Sequence, residues 1–205
     1  MKLYYSPGAC SLSPHIVARE AGIDLELEKV DTKSHTFNGG SDYYKVNPKG
    51  YVPALEIKAG DVLTEGPAIV QYLGDQKPQS GIVPPAGSAE RYRLQEMLGY
   101  LNSEIHKTYS PLFNSSIQPE TADERRAYLK KRYAYLEGIL ATRDYLVGDK
   151  FSPADAYLFT LTRWAPFVKL DLAQFANLQA FQKRVESRAS VQQADHAAGD
   201  LSTPR

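Results

Sequence analysis

The chain has 205 residues, 42% hydrophobic and 23% charged, and its Lys plus Arg count of 24 equals its Asp plus Glu count of 24. Zero net charge gives no electrostatic reason to expect nucleic acid or an anionic membrane as a partner. One cysteine rules out an internal disulfide, and the scattered His15, His35, His106 and His196 offer no second metal ligand at helical spacing. No apolar run is long enough to span a bilayer, and no basic segment followed by an apolar core opens the chain, so a cytoplasmic location is expected.

The first element is a short strand at Leu3-Tyr4-Tyr5, ended by the turn residues Ser6-Pro7-Gly8. After Cys10 a helix is expected, with Leu12, Ile16, Val17, Ala18 and Ala21 on its apolar face and Gly22 as its C-terminal cap. Cys10 thus stands where a strand hands over to a helix tip. Unpaired amides and the positive end of the helix dipole favour a thiolate there, so a lowered pKa and a reactive sulfur are expected. Leu25–Val30 alternates as a second strand, and residues 31–51 read as loop with one helical turn near Tyr43–Val46. Tyr51–Ile57 reads as a turn followed by a strand that begins with Pro53, Lys58–Asp61 turns the chain, and Val62-Leu63 returns antiparallel. Pro67 then suits the first turn of a helix.

The stretch 75–87 carries three prolines and two glycines and reads as a linker. Beyond it the pattern is helical. A long helix holds Tyr92, Leu94, Met97, Leu98, Leu101, Ile105 and Tyr109 and is ended or kinked by Pro111. Thr121–Glu124 reads as a capping box opening a second long helix with a stripe at Tyr128, Leu129, Tyr135, Leu136 and Ile139. Ser152-Pro153-Ala154-Asp155 is a second capping box, opening a helix so apolar that it must lie at the centre of its domain. Two smaller outer helices over Leu178–Arg188 and Val191–Ala198 follow, and the tail Asp200–Arg205 is expected to fray.

A small α/β unit with a helix-tip cysteine followed by an all-helical unit resembles a glutathione transferase of the bacterial beta class. The residues that carry the resemblance are KLYYSPGACSLSPHI, VNPKGYVPAL, LTEGPAIVQYL, SEIHK and FSPADAYLF, five motifs in the family's order. It implies a thioredoxin-like glutathione-binding domain over 1–78, a linker over 79–87, and an all-helical domain over 88–205 contributing the electrophile site. It also implies a homodimer, glutathione as co-substrate without a metal, and conjugation to small hydrophobic electrophiles, with thiol–disulfide exchange as a second activity. Cys10 and His106 are the implied catalytic pair, with His106 and Lys107 facing Cys10 across a cleft. Tyr5, Ser11, His35, Val52, Pro53, Glu65, Gly66, Ser103, Glu104 and Lys107 are the implied glutathione contacts. Val52 would pair its backbone with the tripeptide, before a proline that the family makes cis. Glu65 and Gly66 would take the ammonium and the γ-glutamyl carboxylate at a helix start. Ile105, Tyr109 and Trp164 are the implied electrophile pocket. The chain departs from the family at His35, where lysine is frequent, and at Gly99, where asparagine is frequent. Two alternatives stay open: a glutaredoxin-like glutathione disulfide oxidoreductase, since Cys10-Ser11-Leu12-Ser13 is a CxxC with its second thiol missing, and a non-catalytic binding protein of the same fold.

Overall fold

A computed structural model describes residues 1–199, and the expected frayed tail Asp200–Arg205 lies outside them. Its contacts divide the chain into two units, one comprising Met1–Val83 with the segment that starts at Ala189, the other Pro84–Arg188.

The first unit is built on a six-stranded mixed sheet in the order β4-β3-β2-β1-β5-β6. β1 (Lys2–Tyr5) runs parallel to β2 (Glu26–Asp31), and antiparallel to β5 (Ala54–Lys58), which pairs with β6 (Asp61–Thr64). β3 (Thr36–Phe37) and β4 (Ser41–Asp42) are two-residue strands that the sequence reading left inside a loop. Too short to show a period, they are recruited by pairing with the end of β2. Along β1 the side chains alternate between two cores. Tyr4 joins Val30, Tyr43, Val52 and Ala54 on one side, while Leu3 lies beside its register partner Leu55, both fully buried. α1 (Leu12–Glu20) and α2 (Gly66–Gln76) pack together, with Ile16, Val17, Ile69 and Leu73 buried. Gly22 follows α1 at φ +68°, as its expected capping position requires.

α8 (Ala189–Ala198) packs on α1 and therefore belongs with the sheet, whereas the expected boundary placed 88–205 together. Its apolar residues Val191 and Ala194 are buried, and Ser190 donates to Glu20 at 2.5 Å. The stretch read as linker is partly packed as well. Ile82 and Val83 are buried, and a Cβ on Gly74 would come within 2.0 Å of Val83.

The second unit is all helical. α3 (Ala89–Tyr100) opens at Ser88, whose hydroxyl accepts from the Arg91 amide at 3.1 Å. The helix widens to π geometry over Leu101–His106, resumes as the single turn α4 (Lys107–Tyr109), and ends in a 3₁₀ turn containing Pro111. α5 (Pro119–Leu140) starts before the expected capping box at Thr121–Glu124, because Pro119 pre-sets the helical φ and occupies the first turn. Its buried face is Ala122, Leu129, Tyr133, Leu136 and Leu140, so Tyr128 and Tyr135 point outward and the expected stripe is corrected at those two positions. α6 (Pro153–Thr162) is buried at every residue, and α7 (Ala176–Glu186) packs on α5 and α6.

The capping box at Ser152 forms, and Asp155 does more than cap. Fully buried, it accepts from the Ser152 amide at 2.8 Å and the Ser152 hydroxyl at 2.7 Å, and also from the Leu146 amide at 2.8 Å. Burial still outweighs these donors and raises its pKa to about 6. The unfolded value is about 3.9, so the fold holds a proton that the unfolded chain has released between these limits. The proton-linked part of the stability from this group is complete below pH ~4 and is lost as pH rises through about 6, while its hydrogen bonds contribute at either pH. Asp155→Ala strands two buried amides and should cost about 2–4 kcal/mol at neutral pH. In urea unfolding, the gap between wild type and variant should be wider at pH 4.5 than at pH 7, by about 2 kcal/mol.

Candidate functional site

In the first unit the site is built where the Ser6–Ser11 turn meets the Asn47–Pro53 segment. Ser11 locks the turn, donating to the Ser6 carbonyl at 3.2 Å and accepting from its amide at 3.2 Å. The Cys10 and Ala9 carbonyls accept from the amides of Ser13 and Leu12, which carries helical bonding back toward Cys10. Opposite, buried Asn47 donates to the Tyr51 carbonyl at 2.7 Å, and the Tyr43 hydroxyl donates to the same oxygen at 3.2 Å. Val52 buries its side chain in the sheet core, and the Val52–Pro53 peptide is cis.

The cysteine joins the two segments: the Cys10 sulfur donates to the Val52 carbonyl at 3.4 Å. The expectation of a lowered thiol pKa is corrected here. The amides of Cys10 and Ser11 do favour the thiolate, as the helix tip demands, but desolvation of the sulfur and then the Glu65 carboxylate oppose them. Burial wins, and the thiol is pushed up to about 12. A thiol that donates to a carbonyl is the state this environment selects.

Glu65 precedes α2 with φ +71°, a left-handed backbone rare for a side chain of its size. Its carboxylate is already engaged: Lys49 sits at 2.5 Å and the Tyr51 hydroxyl donates at 2.9 Å, while Lys49 also reaches the Thr64 hydroxyl at 2.9 Å. Lys49 and Tyr51 were not singled out from the sequence, although both lie inside the motif VNPKGYVPAL. A lone lysine in a loop carries no periodic signal. Gly66 begins α2 behind this cluster.

His35 adopts φ +53°, its Nδ1 lies 2.8 Å from the Gly50 carbonyl, and its ring packs on Tyr44 at 4.6 Å. Gly50 has φ +76°, and a Cβ there would fall 2.6 Å from the Tyr44 ring, so only glycine fits. Tyr5 and Ser11 are directed elsewhere. With His15 and Asp195 they line a cavity of about 10 Å³, roughly one water molecule, beside α8. Burial and the Glu28 carboxylate raise the Tyr5 phenol. His15, nearly fully buried, is lowered to about 4 by desolvation, with the Arg19 cation adding to the effect, and is neutral at neutral pH.

The second unit gathers the other expected residues along the π-helical segment. His106 Nδ1 lies 2.5 Å from the Tyr157 hydroxyl, which donates to Asn102 Oδ1 at 3.1 Å, and the His106 ring meets Trp164 edge-on at 5.0 Å. Tyr157 and Asn102 were also missed: in an apolar helix, a tyrosine reads as core. Ile105 and Tyr109 are wholly enclosed, Tyr109 with Trp164 at 5.6 Å and Tyr133 at 3.0 Å between hydroxyls, so neither presents the pocket surface expected of it. Glu104 is held by Arg132 at 2.8 Å and the Tyr128 hydroxyl at 2.5 Å, both from α5. Ser103, exposed, bonds the Gly99 carbonyl at 3.0 Å, and Lys107 is exposed. Among the described residues no group of His, Cys, Asp and Glu could hold a metal ion, and no helix is long and apolar enough to cross a membrane.

A mixed sheet with a cysteine in the turn after β1, joined in sequence to an all-helical unit, is a two-unit build of α/β and α parts. Residues 8–76 match the model of the glutathione S-transferase N-terminal domain, and residues 100–189 that of the C-terminal domain. The chain is 44% identical over 199 residues to glutathione S-transferase GstA of Escherichia coli O157:H7, covering 97% of this chain and 99% of that one. A sphingomonad glutathione S-transferase complexed with glutathione superposes with a TM-score of 0.93 at 43% identity, covering 97% and 99% of the two chains. A bacterial beta class glutathione S-transferase of Sphingomonas chungbukensis gives 0.93 at 41% identity, again covering 97% and 99%. The chain belongs to the glutathione S-transferase family.

The half-buried thiol has a direct test. Alkylation of the ligand-free protein by iodoacetamide at pH 7, read by intact mass, should run on the order of a hundredfold slower than for a free cysteine of pKa ~8.5, since the greater nucleophilicity of a more basic thiolate offsets part of its scarcity. The rate should still be rising at pH 10. Glu65→Gln, which removes a charge that opposes the thiolate, should speed it at every pH below that.

Proposed function

We propose that the protein binds glutathione along Val52 and Glu65, with the tripeptide sulfur beside Cys10, and conjugates it to small hydrophobic electrophiles as a cytoplasmic homodimer. The observation that carries this reading is the 3.4 Å contact from the Cys10 sulfur to the Val52 carbonyl, which puts the chain's single thiol against the backbone where a peptide strand would pair. A thiol held protonated suits conjugation. Turned from the Val52 carbonyl, its one proton can bond a glutathione thiolate and so keep charge on the sulfur that attacks, whereas disulfide exchange needs Cys10 itself ionised. Exchange is therefore the minor activity.

Glu65 takes the α-ammonium of the ligand by replacing one cation with another, since Lys49 already pairs with it. Lys49 is then released toward the tripeptide's carboxylates, and the free amides from Gly66 onward receive the γ-glutamyl carboxylate. Pro53, His35, Ser103, Glu104 and Lys107 remain the proposed outer contacts and His106 the second catalytic group, whereas Tyr5 and Ser11, turned toward the cavity beside α8, support the turn that carries Cys10. Because Ile105 and Tyr109 are enclosed and Trp164 is buried behind them, the electrophile would meet the rim of their aromatic group at Phe113 and His106, both half-buried. Membership of the family is what supports the homodimer.

The deciding experiment measures glutathione binding by calorimetry alongside turnover with a panel of aryl halides and glutathionyl mixed disulfides. Conjugation should exceed exchange in wild type, and Cys10→Ala should abolish exchange while leaving part of the conjugation. Glu65→Ala should weaken glutathione binding by about 1–3 kcal/mol. An unchanged Kd would remove Glu65 from the site. Light scattering at micromolar concentration should give twice the chain mass of 22.8 kDa.

A further inference from the structure

The second unit contains a hydrogen-bonded relay that the proposed reaction does not yet use. Tyr157 rises from α6, a helix buried at every residue and otherwise occupied here by Leu158, Phe159 and Leu161, and is itself only 2% accessible. A phenol in such a place is costly unless its hydroxyl is bonded. It lies 3.1 Å from the Asn102 side-chain oxygen and 2.5 Å from His106 Nδ1, and its ring stands edge-on to the imidazole at 5.8 Å. Asn102 and His106 come from the π-helical segment, an irregularity that re-aims side chains relative to a regular helix.

A phenol has one proton to give. Given to the Asn102 oxygen, it leaves the phenol lone pair facing His106, so Nδ1 must carry the hydrogen. We propose that Tyr157 is the positioning residue of His106: fixed by Asn102, its hydroxyl holds the imidazole in the Nδ1–H tautomer and turns the lone pair of Nε2 into the proton acceptor. Resting on the reading of His106 as a catalytic group, this gives that group its task. Acting as a general base, the ring takes up a proton at Nε2, and the electron pair stays on the group that gives the proton up. The resulting imidazolium keeps its Nδ1–H bond to Tyr157 throughout. Trp164, edge-on at 5.0 Å, restrains the same ring from another side. The alternative, a tyrosine that only fills space, predicts no preference between tautomers.

The test is ¹⁵N NMR of the full-length protein labelled at histidine, at a pH above the imidazole titration, with His106→Asn supplying the assignment. Wild type should show Nδ1 of His106 protonated and Nε2 bare. Tyr157→Phe should move the ring toward the Nε2–H form that free imidazole side chains favour. Asn102→Ala should move it the same way, because the phenol proton is then free to turn onto Nδ1. In turnover, Tyr157→Phe should lower kcat roughly tenfold with little change in KM for glutathione, and it should have no further effect in a His106→Asn background. A wild-type ring already in the Nε2–H form, or a ring unchanged in Tyr157→Phe, overturns the proposal without any variant having to be active. Full activity of His106→Asn would instead overturn the catalytic reading of His106, and leave the NMR result to decide what Tyr157 does.

Discussion

The first unit depends on holding an irregular segment of backbone still. Between Asn47 and Ala54 the chain has no ladder to join, yet it must offer carbonyls at fixed positions beside a sulfur atom. Two donors from the core side, the Asn47 amide and the Tyr43 hydroxyl, converge on the Tyr51 carbonyl, and the Val52 side chain plugs the sheet core one residue later. Gly50, whose replacement would collide with Tyr44, lets the chain turn tightly enough for this to happen. Cys10, Lys49 and Glu65 are all arranged around that segment, and none of them would keep its geometry if it loosened.

The thiol shows how two sound local arguments can be ranked only by the surroundings. Helix-tip amides stabilise a thiolate by about what a hydrogen bond to a charged group is worth, and two of them are present. Removing the sulfur from water costs more, and the nearby Glu65 carboxylate adds to the same side. The site is thus prepared for negative charge without yet containing it. A ligand that brings its own charge, or covers Glu65 with a cation, changes the balance.

Elements whose signal is local were legible in the sequence. The strand Lys2–Tyr5, the Gly22 cap, and the Ser152–Asp155 box followed by a uniformly apolar run are each decided by residues within one or two turns. Where two local signals competed, the rigid one prevailed: Pro119 started α5 ahead of the Thr121 box. Partners were not legible. Nothing in Val191 and Ala194 says that their apolar face will meet α1, and nothing in Lys49 or Tyr157 marks them among the other lysines and buried aromatics. Resemblance named His106 and Glu65, but the groups that hold those two side chains appear only once the chain is folded.

The packing of α8 on α1 also orders events in time. Ser190 meets Glu20 across 170 positions of sequence, with the whole helical unit between them. During synthesis, the sheet and its first helices emerge long before the helix that covers α1, and the closure of that loop costs chain entropy that no local contact repays. For that interval α1 has a bare flank where Val191 and Ala194 will later sit. A nascent chain of this protein therefore carries an uncovered α1 until α8 emerges to pack on it.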